Sequence, residues 1–210
     1  MRERVREVVP VVCVAAALLG WSAVAARVPS RWHPLPHVLL GATLVAVTRA
    51  PLGLRPPALT AGLRRGGAAA GLVSAAVAGS TGIAAVRAGM LARTLPAPVA
   101  PWLLLRIPFG TVWSEEAGYR AALGGLAARA FGTSRGRWVS AAVFGLSHIP
   151  DARAAGESVP GTVLLTGAAG WVFGWLYDST GSLAAPMLAH LAVNEAGAVA
   201  ALTVRARVRG

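Results

Sequence analysis

The sequence predicts an all-α, polytopic transmembrane helix bundle of about seven spans, six to eight at the limits, each needing about 20 apolar residues. Three observations carry that expectation. Of the 210 residues 55% are hydrophobic and only 13% charged, with a mean hydropathy of +0.60, which is more apolar surface than one soluble domain can bury. The apolar residues fall into runs close to spanning length. The 20 basic residues, all arginines, lie mostly in the short gaps between those runs. A net charge of +12 would suit nucleic acid, but charge scattered through loops fits lipid headgroups, so a bilayer and not a nucleic acid is the expected partner. The single cysteine, Cys13, excludes a disulfide framework and a cysteine metal cluster. Its expected role is that of a small buried hydrophobe.

In chain order, Arg2, Arg4 and Arg6 precede an apolar run from Val8 to about Ala26. A basic start, a hydrophobic region and Ala23-Val24-Ala25 also fit a cleaved secretory signal, but an uncleaved first span serves as well when further spans follow. The second segment, about Pro36 to Ala50, starts behind Pro34 and is short for a span. Arg49, Arg55, Arg64 and Arg65 make the most basic loop. The third segment, Gly66 to Val86, is rich in Ala and Gly, residues that permit close helix contact. The fourth runs from about Val99 to Leu123. Beyond a gap around Arg129 to Arg137, a fifth covers Trp138 to Ile149 and is ended by Pro150 and the polar stretch Asp151 to Ser158. The sixth is about Val159 to Tyr177, the turn Asp178 to Gly181 follows, and the seventh is Leu183 to Val204.

No repeat or linker divides the chain, so residues 1–210 are expected to form one integral membrane domain. Basic-loop counting puts the N-terminus and the loops 49–65 and 129–137 in the cytoplasm of a cell-membrane protein. The arginines at 205, 207 and 209 disagree, since seven spans put them outside.

The fourth segment holds Trp113-Ser114-Glu115-Glu116-Ala117-Gly118-Tyr119-Arg120. Each ionised side chain at the centre of a membrane helix costs about 2.5 to 3.5 kcal/mol unless it is paired or faces a polar cavity, so these residues are a functional-site hypothesis. On a helix Glu116 and Arg120 are i,i+4 neighbours and neutralise one another. Glu115 points about 100° away with no partner in its own helix, and is the carboxylate free to handle a proton.

Two more clusters follow, in each of which a polar residue has a companion one helical turn away on the same face, Phe144 with His148 and His190 with Asn194. With a turn near Thr133, Glu116 lies about 25 Å and His148 about 22 Å back along their helices, at the same depth. A lone membrane histidine more often only hydrogen-bonds across a helix interface, for about 1 kcal/mol. The weight lies in the conjunction, because nearly all the intramembrane ionisable groups fall in three segments of the C-terminal half. Glu195 faces either that pocket or a neighbouring helix. His33 and His37, in a Pro-rich loop, carry no such argument.

In that order and on successive segments, Glu115-Glu116-x-x-x-Arg120, Phe144-x-x-x-His148 and His190-x-x-x-Asn194 resemble the CPBP family of intramembrane proteases, which includes the type II CAAX prenyl endopeptidases and bacterial self-immunity proteins. The run from Gly174 to Leu183 resembles the family as well. The resemblance covers about 98–200, which would be the catalytic core. A glycine often follows the motif arginine in that family, where this chain has Ala121.

The resemblance implies hydrolysis of a peptide or membrane-protein substrate within the bilayer. Glu115 would be the general base on a water also held by His148, His190 and Asn194 would donate to the oxyanion, and Glu116, Arg120 and Phe144 would support them. Glu115, His148 and His190 are also a plausible zinc set for a family often called metalloproteases. There is no H-E-x-x-H, and a glutamate-activated water without metal uses the same residues. A non-enzymatic immunity or adaptor protein stays open. So does a proton-coupled transporter, although the N-terminal half lacks the matching polar positions that paired repeats would bring.

Overall fold

The computed structural model describes residues 2–25, 27–29 and 32–209. Ala26, the expected end of the first apolar run, lies outside them, as do the side chains of Arg2, Arg4 and Arg209. Every regular element among the described residues is helical.

Helix α1 (Arg2–Ala25) buries Val11, Val14 and Leu18, a three- and four-residue spacing that makes one stripe. The stripe packs on Tyr119, Leu123, Leu126 and Ala127. Cys13 is exposed, not buried as its residue type suggests. It sits one residue, about 100°, from Val14, and that rotation takes it off the stripe.

Helix α2 (Pro34–Thr48) opens on two prolines whose missing N–H groups cost nothing in a first turn. Its Gly41 lets the backbone approach Ser114, where a Cβ would lie 3.1 Å from the Ser114 Cα. Helices α3 (Ala58–Ser80) and α4 (Ala84–Ala92) are bent by 95° at residues 81–83. The long helix α5 covers 99–131. After it come α6 (Thr133–Ser147), the short α7 (Ile149–Ala155), α8 (Val159–Thr180) and α9 (Ala184–Arg209).

Contacts between loops sort the bundle into two ends. At one end the Leu183 N–H donates to the Leu52 carbonyl at 2.9 Å, the Tyr177 hydroxyl donates to Pro51, and Arg137 pairs with Asp178 at 2.8 Å. At the other, Arg93 pairs with Glu157, and Arg205 donates to the Leu91 carbonyl at 3.2 Å.

Among the described residues three helices are long and apolar enough to cross a membrane, within α1, α8 and α9, or up to four if the bent pair α3 and α4 is one span. The expected count of about seven is not met on that test. Helices α2 and α6 have 15 residues each, about 22 Å at 1.5 Å per residue and short of the hydrocarbon thickness. Helix α5 is long but carries Arg106, Glu115, Glu116, Arg120 and Arg129.

Candidate active site

Helix α5 departs from α geometry where the charged residues lie. Pro108 has no N–H to give and its ring crowds the carbonyl four residues back, so the ordinary ladder fails there. The backbone winds instead with i→i+5 hydrogen bonds over Trp102–Trp113 and again over Glu116–Gly124. Wide turns of this kind are rare and are frequently found at functional sites. With more residues per turn, successive side chains diverge by less than 100°, and Glu115 and Glu116 both reach His190 of α9.

The two carboxylates nevertheless have different surroundings. Glu116 is fully buried. Its Oε1 accepts a hydrogen bond from His190 Nδ1 at 2.7 Å, and its Oε2 lies 3.2 Å from Arg120 Nε, an ion pair whose alignment falls short of a hydrogen bond. The Arg120 guanidinium lies 3.9 Å over the Phe144 ring and 5.2 Å from that of Phe173, and a desolvated cation–π contact of this kind contributes about 2 kcal/mol. Glu115, with its side chain 26% exposed, sits 3.8 Å from His190 Nε2. Both contacts of His190 are attractive only with a proton on each ring nitrogen, or with one shared between Nε2 and Glu115. The His190 ring also stacks on Phe173 at 5.0 Å.

His148 stands between α6 and α7 at φ −89° and ψ 0°, the sparsely allowed region where many active-site residues lie. Pro150 ends the α6 ladder just beyond it. The His148 Nδ1–H donates to the Phe144 carbonyl at 2.8 Å, so Nε2 keeps its lone pair. Asn194 donates one amide hydrogen to the His190 carbonyl at 3.2 Å and keeps the other.

Glu115, His148, His190 and Asn194 line one cavity of about 810 Å³, along with Tyr119, Phe144 and Ser147. Glu116 and Arg120 lie behind its wall, and the half-buried Glu195 does not line it. The pairing of Phe144 with His148 is an edge-on ring contact at 4.7 Å. The cavity also has His33, His37 and Arg106 on its wall, which the spacing of motifs could not show because they come from different elements. Arg106 was visible as a charge inside an apolar segment. Burial pushes His33 down to about 4, with the charges of His37 and Arg106 adding to the effect.

Zinc ligands orient their imidazoles as His148 and His190 are oriented, with Nδ1 given to a carbonyl or a carboxylate. Nevertheless, among the described residues no three of His, Cys, Asp and Glu come close enough together to hold one ion. The residues as placed do not fit a zinc site.

Residues 97–196 match the family model of the type II CAAX prenyl endopeptidase, Rce1-like. The match spans α5 through the first half of α9 and takes in each residue of the three motifs. No curated protein and no solved structure matches the chain.

Proposed function

With residues 97–196 belonging to the Rce1-like family of type II CAAX prenyl endopeptidases, we propose that this membrane protein is an intramembrane endopeptidase using a glutamate-activated water. The observation that carries the reading is the shared cavity. Glu115, His148, His190 and Asn194 all face it, while the Glu116–Arg120 pair is excluded from it.

In this reading a water lies between the Glu115 carboxylate and the His148 Nε2 lone pair. Glu115 takes the water's proton as its oxygen attacks the scissile carbonyl. The resulting oxyanion accepts hydrogen bonds from His190 Nε2–H and the free Asn194 amide hydrogen, and each such donor is worth about 2.7 to 4 kcal/mol in the transition state. Glu116 holds His190 in place through Nδ1. The tetrahedral species then collapses, the C–N bond breaks, and Glu115 returns its proton to the departing amine. The substrate is a peptide or membrane-protein segment entering between helices.

Glu115→Gln is nearly isosteric and cannot accept the proton. Purified in detergent, this variant is expected to melt close to the parent and to lose at least about a hundredfold in kcat, the usual share of a general base. Parental cleavage by Glu115→Gln would remove Glu115 as the base. Cleavage should also persist in exhaustively chelated, metal-free protein. Loss of activity restored by one equivalent of zinc would replace this chemistry with a metal-assisted one.

A further inference from the structure

A second groove, of about 350 Å³, runs between α3 and α9 and shares no residue with the active-site cavity. The two helices run parallel, since Gly62 meets Ser182 and Gly66 meets Ala185 at one end, where an added Cβ would lie 2.7 and 2.8 Å from its neighbour. Farther along, Val77 and Ala78 of α3 face Val199, Ala200 and Val204 of α9 across the groove. Thr81 and Thr203 also line it, but their hydroxyls turn back on their own helices and donate to the Ala78 and Val199 carbonyls at 2.7 and 2.8 Å. The wall is therefore apolar, with Ser74 at the deep end excepted.

Arg207 stands at the mouth of the groove. It is exposed and, among the described residues, makes no ion pair. The carboxylates at that end of the bundle are otherwise engaged. Glu157 is taken by Arg93, and Asp151 lines the active-site cavity. Arg205, which donates to the Leu91 carbonyl, adds a second positive charge nearby. The length of the groove then selects its occupant. Ala196, at the deep end, lies eleven residues from Arg207, about 16 Å at 1.5 Å per residue. That is half of a hydrocarbon core about 30 Å thick, the depth of one leaflet. A partner's spanning helix needs the whole thickness, whereas an acyl chain whose headgroup sits at Arg207 needs half. A guanidinium fork matches phosphate oxygens, and basic pockets between spanning helices hold anionic headgroups.

We propose that this groove binds one anionic phospholipid, with an acyl chain lying along α3 and α9 and the phosphate against Arg207. The inference uses no part of the protease reading. The test is native mass spectrometry of the delipidated full chain in detergent, titrated with dioleoyl phosphatidylglycerol or dioleoyl phosphatidylcholine. These lipids share acyl chains and a phosphate and differ in net charge. The parent is expected to retain one phosphatidylglycerol at least about fivefold more tightly than one phosphatidylcholine, the attraction of one arginine for anionic lipid. Arg207→Gln should bring that ratio to about one. Ala200→Leu, which puts a larger side chain into the groove, should weaken both lipids. Arg64→Gln, towards the other end of α3, should change neither.

Equal binding of the two lipids by the parent, or an unchanged ratio in Arg207→Gln, overturns the proposal. So does a folded Ala200→Leu that binds both lipids as the parent does, which would make the lipid an ordinary part of the surrounding annulus. Displacement of the lipid by excess inorganic phosphate would give Arg207 to a free anion and overturn it too. A lipid-free dimer that Ala200→Leu dissociates would give the groove to a second copy of the chain, with the same result. Arg207 is exposed, so Arg207→Gln should melt with the parent, and it decides the matter by itself if Ala200→Leu fails to fold.

Discussion

Two adjacent glutamates with opposite duties are the crux at the scale of single residues. Glu115 lines the cavity, whereas Glu116 is sealed between Arg120 and His190. Removing one partner of a buried ion pair leaves the other charge uncompensated, at a cost of about 3 to 5 kcal/mol. Glu116→Gln should therefore lower the melting temperature far more than Glu115→Gln. It should also cut kcat, because a neutral amide oxygen accepts more weakly from His190 Nδ1–H than the carboxylate does. The double variant Glu116→Gln, Arg120→Met removes both charges and should recover much of the stability but not the turnover. Recovery of both would show that Glu116 acts only through packing. The i,i+4 link of Glu116 to Arg120 was legible in the sequence because one helix contains both. The link of Glu116 to His190 was not, since it depends on the wide winding of α5 and on where α9 comes to lie.

Close approach of α6 to α8, and of α3 to α9, sets the site at the scale of elements. A Cβ at Gly145 of α6 would lie 2.6 Å from the Val163 carbonyl oxygen of α8, and one at Gly66 of α3 would lie 2.8 Å from the Ala185 Cα of α9. Neither neighbour is a flexible side chain that can swing aside. Gly145→Ala and Gly66→Ala are expected to destabilise by about 1 to 3 kcal/mol, as overpacking does. Gly71→Ala, with nothing within 4 Å of the added methyl, should be neutral or stabilise by up to about 1 kcal/mol, since alanine is the better helix former. Thermal melts of the three variants check this, and equal melting temperatures would mean that the helices are free to separate. The Ala- and Gly-rich composition of the third segment announced close packing of that helix. Its partner, and the 95° bend that follows, depend on tertiary contacts that periodicity does not carry. The boundaries at Pro150 and Gly181 were legible in the sequence, whereas the expected gap at 129–137 shrinks to Gly132 alone, because α5 runs to residue 131 and α6 starts at Thr133; Gly132 and Gly181 adopt φ of +84° and +65°.

For the whole molecule the open question is which end of the bundle faces the cytoplasm. Helix α1 packs along α5 through Val11, Val14 and Leu18 against residues 118–127, with Leu18 beside Gly118. The two helices thus run antiparallel, and the start of α1 lies near the end of α5. That end also holds residues 51–53, Arg137 and the turn at 178–183. The other end holds 91–93, 157 and Arg205, and the cavity reaches towards it at Val28 and Asp151. Arginines cluster most densely at 49–65, which favours the first end as cytoplasmic. In that orientation the cavity would open on the opposite face.

In a Cys13→Ser background, Ala154→Cys should react with a membrane-impermeant maleimide added to intact cells, and Thr60→Cys should react only after permeabilisation. Both positions are exposed, so a lack of reaction reflects the membrane and not burial. The reverse pattern would invert the orientation and put the cavity on the cytoplasmic side. Labelling of both from outside would contradict their placement at opposite ends, and with it the run of α3 across the bundle.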